Sequence, residues 1–274
     1  ALGTAQAASM LTTQVQSVTT GALAGLETLD LQAMSTDQVR AFTSDQLQAL
    51  STTQVHALKT DQLAALTTAQ VASLTSLQIA ALSTTQVAAF GTAQIAAMTN
   101  DELAGMNTAD IAGLSSTQLA ALSTDQLTSM DADLIAAIET NDIAGLTTAQ
   151  ITSLSTDALN ALSSAQVNAL TSAQLQALTT TQATALSSTF VSALSNTQIA
   201  KLDTADLALL STGVISALKS AQIQGLSTAQ IVALTTAQAT VGSGSDTITN
   251  FENLSGSAYA DSLTGNAVNN VLYG

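Results

Sequence analysis

His56 is the only imidazole in the chain, and there is no Cys. A catalytic imidazole needs a proton donor or acceptor within hydrogen-bond reach. The octet around it, LSTTQVHA, holds no acidic residue. His56 therefore reads as a titrating surface side chain. Asp131 and Asp133 in MDADLIAAIE suggest a metal loop, because closely spaced carboxylates can share a hard cation. They fall where acids recur throughout the chain, so helix capping accounts for both. No Gly-x-Ser-x-Gly nucleophile elbow and no phosphate-binding loop occurs. Without Cys, thiol catalysis, disulfides and Cys-based zinc sites are excluded. The expectation is a protein that is not an enzyme.

Composition narrows the classes further. The chain has 274 residues, with Lys+Arg 4 against Asp+Glu 19 and a net charge of −15. Such a balance argues against a nucleic-acid partner. Hydrophobic residues reach 46% but are mostly Ala and Leu diluted by Ser, Thr and Gln. No run approaches the ~18 apolar residues of a membrane span. The opening residues, ALGTAQAASM, lack the charged start and apolar core of a secretory signal.

Stepping along the chain by eight reveals the organisation. From Leu2 to Leu234 every eighth residue is apolar, without insertion or deletion: Met10, Val18, Leu26, Met34, Phe42, Leu50 and onward. A second apolar residue follows each anchor by five: Val15, Leu23, Leu31, through Ile223 and Ile231, weakening to Ala at Ala7, Ala183 and Ala239. With the anchor as position 1, the octad reads Leu, Ser/Thr, Thr, any, Gln, Ile/Val/Leu, any, Ala/Gly/Ser. Unbroken register of this kind implies that each unit stacks on its neighbours, as in a solenoid.

A continuous α-helix does not fit, because eight residues turn about 800° and the apolar stripe would circle the axis. A plain strand does not fit either, since neither alternate set of positions is cleanly apolar. A broken helix does. Positions 2 to 5 spell a capping box, as in Ser35-Thr-Asp-Gln38, Ser83-Thr-Thr-Gln86 and Ser123-Thr-Asp-Gln126. All 16 acidic residues before residue 241 stand at positions 2, 4 or 5, where a helix N-terminus favours negative charge. Arg40, His56 and Lys201 come late in their octads, whereas Lys59 and Lys219 sit at position 2 and dissent. The reading is mainly α: a solenoid of single-turn helices, one per octad, over residues 1–241. The Leu anchor and the position 6 side chain face the axis and position 7 faces water. The small residue at position 8 (Ala57, Ala65, Gly105, Gly113, Gly145) lets neighbouring turns approach. The Thr and Ile content also fits a β-solenoid with one octad per side, and that alternative stays open.

At Gly242 the composition shifts to Gly, Asn, Ser and Asp, and the period becomes nine. Gly256-Ser-Ala-Tyr-Ala-Asp261-Ser-Leu263-Thr is one unit and Gly265-Asn-Ala-Val-Asn-Asn270-Val-Leu272-Tyr is the next. An earlier unit, Val241-Gly-Ser-Gly-Ser-Asp246-Thr-Ile248-Thr, is set off by the spacer 250–255. Residues 242–274 resemble the start of the calcium-binding nonapeptide region of the repeats-in-toxin (RTX) family. The resemblance implies a short β-roll-like segment, with Asp246, Asp261 and Asn270 in the metal-binding place and Ile248, Leu263 and Leu272 in the apolar one. It also implies Ca2+ as a cofactor of this segment alone. Asn270 replaces Asp, and only the first unit keeps two of its three Gly, which departs from the family pattern.

The array before it resembles those of large secreted bacterial repeat proteins. Both ends read as cut from longer arrays. Together these features predict an extracellular or cell-surface structural protein, exported without an N-terminal signal peptide. It self-associates as a rod in a surface layer, filament or matrix. The alternatives are the spacer stalk of an RTX-type adhesin, or a Ser/Thr array that binds ice or cell-surface glycans.

Overall fold

The computed structural model describes residues 3–241 and four short strands beyond them, with side-chain surroundings through residue 234. The chain divides into two units, Ala1–Leu146 and Thr147–Gly274.

Within each unit the octad is a one-turn helix. Thr36–Arg40, Ser44–Ala49 and Thr52–His56 are successive examples in the first unit, and Thr180–Ala185, Ser188–Ala193 and Asn196–Ile199 in the second. Position 2 is the N-cap in extended backbone, as at Ser51 (φ −67°, ψ 159°). The Ser51 hydroxyl accepts from the Gln54 N–H at 3.2 Å, and the Gln54 side-chain oxygen accepts from the Ser51 N–H at 2.9 Å. These two bonds satisfy two of the donors that a helix start leaves open. The anchor just before it is extended as well, as at Leu50 (φ −66°, ψ 139°), so two residues per octad interrupt the helix and re-aim the chain. The helical alternative is thus the one the chain adopts, and the β-solenoid is not.

Helices this short are unstable alone, and packing supplies what they lack. Positions 1 and 6 are buried from Leu23 to Leu218: Val55, Leu63 and Ile79 are wholly covered, and Leu58 and Leu74 are 2% exposed, while Met10, Val18, Ile223, Leu226 and Ile231 are half-buried. Within each unit helices lie against those three octads on, as Thr4–Ala8 does against Thr28–Ala33 and Thr180–Ala185 against Thr204–Leu209. The glycines at position 8 lie against the neighbouring coil: a Cβ added at Gly105 would meet Ser76, at Gly113 Thr84, at Gly145 Ser116 and at Gly225 Asn196, each 29 residues apart. One coil therefore takes between three and four octads. Position 8 is where coils touch, as the small residues there predict.

Two octads depart from the pattern. Glu139–Leu146 holds only a 3₁₀ turn at Ile143–Gly145, although Ile143 and Leu146 stay buried. The break expected before Thr235 is absent: Thr228–Val241 runs through it as one helix, keeping the backbone bonds that a restart gives up.

Beyond residue 241 the described residues form two parallel pairs. Thr247–Ile248 pairs with Ser262–Leu263, and Asn253–Ser255 with Val271–Tyr273. Ile248 and Leu263, two of the expected apolar places, are register partners, while Leu272 lies opposite Leu254 of the spacer. Asp246, Asp261 and Asn270 lie outside the described residues.

Candidate functional site

The feature that recurs through both units is the position 5 amide. Gln54 shows all of it. Its oxygen accepts from Ser51 N–H, and its Nε2 donates to the carbonyls of Leu23 at 2.8 Å and Leu26 at 2.9 Å. Gln62 repeats the bonds to Leu31 and Met34, and Gln78 to Leu47 and Leu50. In the second unit Gln182 reaches Ile151 and Leu154, and Gln222 reaches Val191 and Leu194. The carbonyls belong to residues 31 and 28 places earlier, or 30 and 28 at Gln70, Gln86 and Gln118, where the helix one coil back has ended. A primary amide has two N–H donors and a carbonyl acceptor. Here all are used. The same side chain opens its own helix and closes the helix of the coil before. These glutamines are buried, Gln62 and Gln222 at 1% exposed, so their bonds are shielded from water.

This double role is what the local reading of the capping box misses. The signal was present: Glu serves a capping box as well as Gln and suits a helix N-terminus better, yet position 5 holds Glu only at Glu102. The scarcity of Glu marks a need for donors. The dissenting Lys59 is tolerated for the same reason. It makes no side-chain cap, but its N–H still reaches the Gln62 oxygen at 2.8 Å, and the Asp61 carboxylate accepts from Gln62 N–H at 3.0 Å.

At five octads an acid stands where the amide would: Asp30, Glu102, Asp110, Asp142 and Asp206. Glu102 accepts from Thr99 N–H at 2.5 Å and Asp110 from Asn107 N–H at 3.0 Å, so the capping half survives. An ionised carboxylate cannot make the other half, because it has no proton to donate. Asp206 shows the consequence in its protonation. Burial pushes its carboxyl above the ordinary 3.8, and the neighbouring Asp203 charge adds to the rise. Asp206 thus holds a proton more tightly in the folded chain than in the unfolded one. The resulting stability is full below 3.8 and lost as pH rises through the elevated folded value. Asp206→Gln is expected to raise the neutral-pH unfolding temperature and to remove this acid-favoured contribution. Melting curves across the acid range check it; a variant that melts lower at neutrality contradicts the assignment.

The other singled-out residues have structural partners. Asp131 caps its helix by accepting from Leu134 N–H at 2.9 Å. His56 is exposed, with Nδ1 2.7 Å from the Ala81 carbonyl of the next coil. Hydroxyls at position 2, such as Ser35, Thr43 and Ser195, accept from the position 5 N–H and are occupied. Among the described residues no three His, Asp or Glu side chains gather as a metal cluster, and no helix is long and apolar enough to cross a membrane.

One-turn helices coiled on a ladder of shared buried amides define a helical repeat protein. The sequence matches the ALTTAQ repeat over residues 23–60, 46–76, 72–100, 99–132, 135–172 and 199–236, and the chain belongs to that family. The six letters occur as Ala65 to Gln70, from the close-contact position to the inter-coil amide. No curated protein matches the chain.

Proposed function

We propose that this chain is a non-enzymatic structural protein of the cell exterior, a coil that lengthens by stacking on further copies of itself. The observation that carries this reading is the direction of the amide ladder. Each coil presents glutamine donors on one side and helix-end carbonyls on the other, so one coil accepts another by bonds already repeated through the chain. Such a head-to-tail contact does not close on itself and builds filaments or lattices. Gln6 and Gln14 are exposed side chains that cap their own helices. They line an open hollow with Met10, Val18 and Leu26, and a further octad coil suits it in polarity and in its apolar floor.

The RTX-like nonapeptides support an exported, calcium-rich setting, with Asp246, Asp261 and Asn270 as the residues that would hold the ion. The net charge of −15 opposes association by repulsion over about 8 Å at physiological ionic strength. Salt screens that charge and calcium bridges it. Sedimentation velocity over a protein, salt and calcium series tests the proposal. The expected result is mass that grows with concentration and salt, and that Gln6→Leu with Gln14→Leu suppresses. A monomer under every condition overturns self-assembly and favours the spacer stalk.

A further inference from the structure

Asp110 occupies the amide position of an octad whose neighbours on either side of the coil interface are fully clipped. Gln86 donates to the Leu58 carbonyl at 2.7 Å and Gln118 to the Phe90 carbonyl at 2.7 Å. At the spacings of 31 or 30 and of 28 that the clips use, the carbonyls one coil back from Asp110 are those of Ile79 or Ala80 and of Leu82. Its Oδ2 accepts from Asn107 N–H at 3.0 Å, as a glutamine oxygen would. Oδ1 is then the atom left over where a glutamine would have its donating nitrogen. It is buried without any hydrogen-bond partner, in a residue 1% exposed. A carboxylate oxygen turned toward two carbonyl oxygens is repulsive unless something positive lies between them. Oxygens brought together in this way can share one hard cation at about 2.3–2.6 Å from each.

We propose that Asp110 Oδ1 and the main-chain carbonyls one coil back, those of Leu82 and of Ile79 or Ala80, bind a hard cation between two coils, the ion doing the work of the missing amide protons. The site lies in the octad array and is independent of the nonapeptide segment and of self-assembly. It is all oxygen, with a carboxylate and neutral carbonyls, the donor set of calcium or sodium and not of a soft metal.

Equilibrium dialysis of the full chain against calcium, in choline chloride at physiological ionic strength, tests it on four proteins: wild type, Asp110→Gln, Asp110→Asn, and Asp246→Asn with Asp261→Asn. The expected result is one calcium per chain lost in both Asp110 variants and retained in the double tail variant. Calcium should also raise the unfolding midpoint of wild type but not of Asp110→Gln, which supplies its own donors and is expected to fold. Sodium that displaces this one ion assigns the same site to either cation. Equal calcium binding by wild type and the folded Asp110 variants overturns the proposal. So does a wild-type midpoint that neither ion moves.

Discussion

Gln78→Leu is expected to lower the stability of the first unit by about 3 kcal/mol or more, the sum of several unsatisfied groups at about 1–3 kcal/mol each. Gln78 is 2% exposed, and its amide serves Thr75 N–H at 2.9 Å, the Leu47 carbonyl at 2.9 Å and the Leu50 carbonyl at 2.8 Å. Leucine fills similar space but leaves all three without that partner. Losing only the hydroxyl cap, as in Thr75→Ala, should cost about 1 kcal/mol, because the amide bonds survive. Gln78→Glu separates the two halves of the role. It keeps the bond to Thr75 and sets an oxygen against Leu47 and Leu50, so at neutral pH it should be at least as damaging as leucine. Its burial raises the folded carboxyl value above the free one. Stability is therefore recovered in acid, below the free value, and lost as pH rises through the folded one. Denaturant titrations at neutral and acid pH measure this; a Glu variant without pH dependence contradicts the account.

Gly105→Ala is the second large effect. A Cβ there would lie within 2.2 Å of the Ser76 carbonyl oxygen and about 3 Å from two further backbone atoms of Ser76. Backbone cannot swing aside as a side chain does, so the coils must part, at about 1–3 kcal/mol for an overpacked contact. The same change at Gly213 meets nothing nearer than the Ser211 hydroxyl at 3.9 Å. Gly213 lies inside the helix Thr212–Ser216. There Ala should stabilise, by up to about 1 kcal/mol from helix propensity. Opposite signs for one substitution at two glycines, read by thermal unfolding, report coil contact directly. Equal effects would count against the packing described.

These two positions also show what was legible in the sequence. The octad is short-range: cap, core residue and anchor lie within eight residues, so Ser51, Gln54, Val55 and Leu58 could be given their roles from spacing alone. The small residues at position 8 pointed to close approach, and Gly105 and Gly113 bear that out. The coil is long-range. Nothing in an eight-residue period states that contacts return after 28 to 31 residues, because that number depends on the turn each extended pair imposes. Hence the capping oxygen of Gln54 was readable and its donating nitrogen was not. The acids at position 5 were assigned to the helix start. Asp110 does cap there, but only one of its oxygens is used, and the burial of the other follows from the coil.

The central claim is that the chain returns on itself about every 29 residues, carried by the amide ladder. The chain has no Cys, so spin labels can be placed at will on exposed Ala80, Ala96 and Ala109. Pulsed electron paramagnetic resonance then gives the 80–96 and 80–109 distances in solution. The coil predicts that the 80–109 pair is the closer one despite its longer separation in sequence, since adjacent coils pack at about 8–10 Å between helix axes. An 80–109 distance longer than the 80–96 distance would contradict the coil and the inter-coil role of glutamine with it.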